Sequence, residues 1–132
     1  MTQKYIGAPI RRKEDVRFLT GSARYIDDVK FPDMLHAAIL RSPHAHARIT
    51  GIDPSQALAI EGVHAVFTFK DIAYLAKPIP VRVFDLEGLS DYLQLPLAED
   101  IVRYVGEPIA VVVASNRYIA EDALESIEVS YD

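Results

Sequence analysis

Residues 109–114 read Ile-Ala-Val-Val-Val-Ala, six side chains without a polar atom. A run this short and this rich in β-branched residues predicts a strand, and its lack of alternation predicts burial on both faces. Such a strand demands neighbours at both edges and cover above and below. Just before it, Gly106-Glu107-Pro108 interrupts an apolar start at Ile101, so residues 101–114 predict two strands split by a tight connection. Just after it, Ser115 or Asn116 has the chemistry of a helix cap. Ile119, Ala120, Ala123, Leu124 and Ile127 then form one apolar stripe, with Glu121, Asp122 and Glu125 toward water. A last strand is expected over Glu128–Tyr131.

The middle of the chain supplies partners. Residues 35–42 are mostly apolar and stop at Pro43, which predicts a buried strand. A second strand follows over 47–52. Asp53-Pro54-Ser55-Gln56 then has helix-start chemistry, with Asp53 as cap, Pro54 in the first turn and Gln56 as a capping-box partner. Gly62 suits the turn that ends this short helix. Val63–Thr68 predicts a third strand, and Thr68 with Asp71 has capping-box spacing for a helix over Lys70–Leu75. Residues 76–100 are broken by Pro78, Pro80 and Pro96 and read as a long loop with a weak strand at Val81–Phe84. Residues 1–34 hold Gly7, Pro9, Gly21 and Pro32 and little periodicity. They predict an extended arm with short strands at most. The fold class is α+β, with strands in pairs and a few short helices on one side.

Composition narrows the chemistry. A chain of 132 residues, half hydrophobic and a quarter charged, fits one soluble domain with a real core. It has no cysteine, hence no disulfide, thiolate metal site, Fe–S ligation or cysteine nucleophile. No stretch approaches the roughly 18 apolar residues of a membrane span. Met1-Thr2-Gln3-Lys4-Tyr5 lacks an apolar signal region, and a cytoplasmic protein is expected. Residues 1–48 carry nine Lys/Arg against five Asp/Glu, and residues 49–132 carry five against fourteen. The basic run Arg11-Arg12-Lys13 has no aromatic interleaving and meets Glu14-Asp15 at once. A solvated or interface-facing loop is therefore expected there, and no nucleic-acid partner.

Several residues merit weighing as a site. Arg-Ser-Pro-His-Ala-His-Ala-Arg-Ile at 41–49 places His44 and His46 two apart, on one face if the backbone is extended. With His36 and His64 on neighbouring strands, four imidazoles are available for a metal, and a stable site needs at least three. Against this, Pro43 removes a backbone donor and pushes Ser42 toward extended geometry. That makes the run a strand end and a polar corner, its histidines bonded to the backbone. Asp27 and Asp28 are adjacent and on a strand would face opposite ways. Glu107, between Gly106 and Pro108, is an acid or base in principle and a turn former by position. Ser42 lacks a nucleophile-elbow context. The glycines at 7, 21, 51, 62, 88 and 106 are scattered and form no phosphate loop. The residues by themselves assign no catalytic, cofactor-binding or metal-binding position.

Three segments together resemble one family. They are Arg17-Phe18-Leu19-Thr20-Gly21 with Tyr25 and Asp28, the run Leu35 to Ile49, and Val102 to Ala114 followed by Ala120-Glu121-Asp122-Ala123. In this order they are similar to the N-terminal α/β-hammerhead domain of the molybdopterin-binding large subunit in the xanthine dehydrogenase, aldehyde oxidase and carbon monoxide dehydrogenase family. The resemblance covers essentially the whole chain. It implies a single domain, with 1–34 as an N-terminal arm of the same domain as the hammerhead at 35–132.

The resemblance also implies a role. The complete enzyme would oxidise or hydroxylate an aldehyde, an N-heterocycle or carbon monoxide on a molybdenum-pterin dinucleotide. Fe–S clusters and FAD would sit on partner subunits. The family's catalytic glutamate and Gly-rich pterin segments have no match in this chain, and Glu107 matches a different motif. The implied function is that of a scaffold domain, an excised domain or split subunit, inactive alone. It would contact the other large-subunit domains and the partner subunits through the basic arm and the 76–100 loop. The competing reading is an autonomous binding module with a histidine metal site. A weaker one is a small hydrolase using Ser42 or Glu107.

Overall fold

The computed structural model describes residues 6–80 and 88–132. The expected strand at Val81–Phe84 lies outside the described residues. The chain divides into two compact units, one ending at Pro32 and one spanning Asp33–Asp132.

The first unit holds a short helix, α1 (Asp15–Leu19), and a 3₁₀ turn at Ile26–Asp28, where short strands at most were expected. The reason is local. Asp15 accepts from Arg12 N at 3.2 Å and pairs with Arg12 Nε at 3.1 Å. Thr20 Oγ1 donates back to Val16 O at 2.7 Å. These bonds close within four residues, whereas a strand needs a partner far along the chain. Asp28 turns back to accept from Tyr25 N at 2.9 Å, so Asp27 and Asp28 lie in a turn and not on a strand. The Phe18 and Tyr25 rings meet at 5.6 Å.

The second unit is built from β1 (His36–Arg41), β2 (Ala47–Asp53), α2 (Ser55–Leu58), β3 (Val63–Thr68), α3 (Phe69–Ile72), β4 (Ile101–Val102), β5 (Pro108–Ala114), α4 (Arg117–Leu124) and β6 (Glu128–Tyr131). Two antiparallel three-stranded sheets result, ordered β1-β5-β3 and β4-β2-β6. The strand without polar side chains, β5, takes the centre of the first sheet.

One face of that sheet carries Ala38, Val112 and Val66 in register. Ala120 and Ala123 of α4 and Ala57 of α2 are fully buried and pack in the same cluster as Ala38 and Val112. Alanine at these contacts lets the helix backbone approach the sheet closely. Ile52 and Val129 reach this core from the second sheet. A second cluster of Ala47, Ala98, Val102 and Ile109 packs with Leu40, Ile49, Val129 and Tyr131. Leu40 and Val129 belong to both clusters, so the cores are continuous. The expectation that β5 is buried on both faces needs correction, because Val111 and Val113 are only half-buried.

Helix starts follow the expected chemistry with two shifts. Asn116 accepts from Ile119 N at 2.9 Å and caps α4. Asp71 accepts from Thr68 N at 2.7 Å and Thr68 Oγ1 at 2.8 Å, but α3 closes at Ile72, short of the expected Leu75. These two bonds hold the Asp71 carboxyl below the ordinary carboxylate range, the backbone donor first. Asp53 Oδ1 accepts from Ser55 N at 2.9 Å, but α2 starts at Ser55 with Pro54 in the cap position, so Asp53 lies one residue before the cap expected of it and Pro54 one before the first helical position. Gln56 makes no capping box and donates to Glu128 Oε1 at 3.3 Å, linking α2 to β6. Among the described residues no helix is long and apolar enough to cross a membrane.

Gly62 holds the α2–β3 connection at φ +91°, and a Cβ there would lie 2.8 Å from both Ile119 Cδ1 and Ser115 Oγ. Both contacts are side-chain ends that can yield, so the backbone conformation dominates. Gly62→Ala is expected to destabilise by about 1–2 kcal/mol. Asn116→Ala is expected to lose about 1 kcal/mol with the cap. Both values are to be read from urea unfolding midpoints at unchanged slope. A neutral Gly62→Ala would mean that the connection does not need a left-handed residue.

Candidate functional site

The buried polar residues of the described chain are Ser42 and Glu107. They meet where β1 and β5 end. Register between the two strands slips at Leu40/Arg41, where Arg41 faces Pro108. Proline has no N–H to give the ladder, and it stands at the first position of β5, where strands tolerate it. The pairing continues beyond it through a reciprocal pair. Ser42 N donates to Glu107 O at 2.9 Å, and Gly106 N donates to Ser42 O at 2.8 Å. Arg41 Nη1 adds a bond to Gly106 O at 2.8 Å.

Glu107 N closes a turn onto Tyr104 O at 3.2 Å, with Gly106 at φ +93° in the third position. That position favours glycine. The Glu107 carboxylate then folds back. Its Oε2 accepts a short bond from Arg103 N, and its Oε1 lies 3.5 Å from Arg103 Nη1. Arg103 also donates to Ile101 O at 3.0 Å. Since Arg103 N is bound to a side chain, the main chain leaves the ladder there. This is why β4 stops at Val102, where a longer strand was expected.

Ser42 is engaged in the same way. Its Oγ accepts from His44 N at 3.0 Å and donates to His44 O at 3.2 Å. The His44 imidazole meets a ring and not the backbone, lying edge-on to Tyr131 at 4.6 Å. Tyr131 Oη is buried beside Ser42 without an aligned hydrogen bond among the described residues. Burial pushes the phenol's ionisation above its ordinary value, and the nearby Ser42 side chain offsets part of this.

These geometries bear on each sequence candidate. Ser42 has both hydrogen-bonding modes occupied by backbone and no imidazole aimed at its Oγ. Glu107 has both carboxylate oxygens committed to Arg103. Neither arrangement is that of a poised nucleophile or base. His44 and His46 lie exposed in the corner between β1 and β2. His36 and His64 belong to β1 and β3, with β5 between them. That places them roughly 10 Å apart, two strand spacings. Among the described residues no three His, Cys, Asp or Glu side chains come together as a metal-holding set.

One hollow borders the corner and another lies apart from it. An open groove is lined by Tyr92, Leu93, Gln94, Arg103, Tyr104 and Glu107. A cleft of about 120 Å³ lies between β2, the start of α3 and residues 98–100. The cleft is below the roughly 300 Å³ at which small-molecule sites begin, whereas the groove, at about 470 Å³, is not. The hydrogen bonds of Ser42 and Glu107 make the corner a clamp that fixes two strand ends and a turn. The sequence reading missed the partnership of Glu107 with Arg103 and of Ser42 with its own loop. A carboxylate four residues after an arginine, enclosed by glycine and proline beside an all-apolar strand, was the available signal.

Glu107→Ala should leave Arg103 N without its acceptor and cost about 1–3 kcal/mol. Glu107→Gln keeps an amide oxygen there and should cost less. Equal stability of the alanine variant in urea unfolding would show that the carboxylate does not hold the turn.

The same fold recurs in known proteins. The family model described as "Aldehyde oxidase and xanthine dehydrogenase, a/b hammerhead domain" matches residues 20–132. The chain is 44% identical to the nicotine 6-hydroxylase large subunit of Paenarthrobacter nicotinovorans, covering all of this chain and 17% of that protein. It is 42% identical to the carbon monoxide dehydrogenase large chain of Afipia carboxidovorans, covering 96% of this chain and 15% of that one. The crystal structure of quinoline 2-oxidoreductase from Pseudomonas putida 86 superposes with a TM-score of 0.83 at 46% identity, over 99% of this chain and 16% of that chain. The chain thus spans about one-sixth of the length of the relatives it matches. It belongs to the α/β-hammerhead domain family of aldehyde oxidase and xanthine dehydrogenase large subunits.

Proposed function

We propose that residues 1–132 are the N-terminal scaffold of a molybdenum hydroxylase large subunit. Residues 1–34 serve as an arm of the same domain as 35–132. The catalytic residues and the pterin-binding segments lie outside this chain, on the remaining large-subunit domains. Fe–S clusters and FAD on partner subunits carry electrons away, and the complex works in the cytoplasm. The observation that carries this reading is similarity along the whole of this chain to about one-sixth of each relative. The full engagement of Ser42 and Glu107 supports it, since both act on the protein's own backbone.

The complete enzyme oxidises an aldehyde, an N-heterocycle or carbon monoxide. The names of the nicotine and quinoline enzymes favour an N-heterocycle. In this role the domain supplies a rigid double sheet against which the cofactor domains are held.

The test is the size and metal content of the native polypeptide. An antibody to this domain should detect, in lysate of the producing cells, a band several times larger than 14.7 kDa. Molybdenum should co-purify with it. The 132-residue chain alone should oxidise neither aldehydes nor N-heterocycles. A lone band at 14.7 kDa with no molybdenum partner, or turnover by the isolated chain, would overturn the reading.

A further inference from the structure

Among the described residues, central strand β5 has one face packed in the core and one face left partly open, with Val111 and Val113 half-buried. On the open face, two rows cross all three strands in register. Ala37 pairs with Val113 and Val113 with Ala65, while Ile39 pairs with Val111 and Val111 with Phe67. All six side chains are apolar. Ile39 and Phe67 are 43% and 41% exposed, and none of the six belongs to either core cluster. An antiparallel sheet that faces water alternates apolar with polar residues, whereas β5 has none to alternate. Scattered exposed apolar residues need no explanation, but two contiguous rows do.

We infer that this open face is the seat on which the rest of the large-subunit polypeptide packs. The inference rests on the scaffold reading and adds the surface it uses. More than four-fifths of each relative's length lies beyond the segment matched by this chain, ample to supply the cover. The two rows are apolar, with Arg117 and Glu121 beside Ala37 and Ile39 at the β1 edge, so the occupant's matching surface must be apolar at its centre, as in permanent interfaces that resemble a core cut in half.

Thiol accessibility tests this directly. The chain has no native cysteine, so Ala37→Cys and Phe67→Cys each place one thiol on the face. Maleimide labelling is measured in the 132-residue chain and in the complete polypeptide that carries it, with the modified peptide read by mass. The expected result is rapid labelling in the isolated chain and labelling at least tenfold slower in the complete polypeptide. Ala37→Cys adds little volume, which protects the test if Phe67→Cys impairs folding. Equal rates in a complete, molybdenum-containing polypeptide would overturn the inference while leaving the scaffold reading intact. Protection already present in the isolated chain would also overturn it. A second copy would be the cover if that protection grows with concentration, and this chain's own residues if it does not. If no longer polypeptide exists, the scaffold reading falls and the inference falls with it.

Discussion

The pairing of β5 with both neighbours is the constraint on which the rest depends. Its backbone must find partners on two edges, because buried amides without partners are costly. Its side chains cannot face water without losing apolar burial. β1 and β3 supply the edges, and α4 with α2 supplies one cover. Once β5 is central, the order of the first sheet follows, and the chain must cross to a second sheet to place β2, β4 and β6. Ile52 and Val129 bring that sheet into the same core.

Where β5 begins, the structure changes from an apolar to a polar problem. Pairing with β1 runs past Pro108 to Gly106, and the strand before it has to be turned away. A buried carboxylate does this by taking the N–H of Arg103, while Gly106 supplies the left-handed turn. The guanidinium of Arg103 remains largely in solvent, so its ion pair with Glu107 contributes less than its bond through the backbone. Ser42 completes the corner from the β1 side by closing its own loop on His44. Polar groups here are spent on backbone geometry, which is consistent with a domain whose chemistry lies elsewhere.

Much of the fold was legible because its signals are local. β3 and β6 fall at Val63–Thr68 and Glu128–Tyr131 as their patterns dictate, and Asn116 caps α4. The run 101–105 misled because an apolar start at Ile101 cannot show that Arg103 N will be taken by a side chain four residues on. The arm misled because breakers at Gly7, Pro9 and Gly21 argue against long elements and say nothing against one helical turn. The histidines at 36, 44, 46 and 64 are a counting coincidence. Their convergence depends on strand order, and with β5 inserted between β1 and β3 they stay apart.

By itself the sequence determined which segments are strands, that β5 must be interior, and the family to which its motifs point. The first two follow from backbone propensity and hydrophobic pattern, properties of neighbours along the chain, and the third from a resemblance of motifs. Tertiary structure alone decided that Glu107 and Ser42 are structural, since hydrogen-bond partners are fixed by three-dimensional approach. It also decided that, among the described residues, β5 is buried on one face and half-buried at Val111 and Val113 on the other. A pattern records that a strand requires burial, and only the packed chain reveals which face the described residues leave partly exposed.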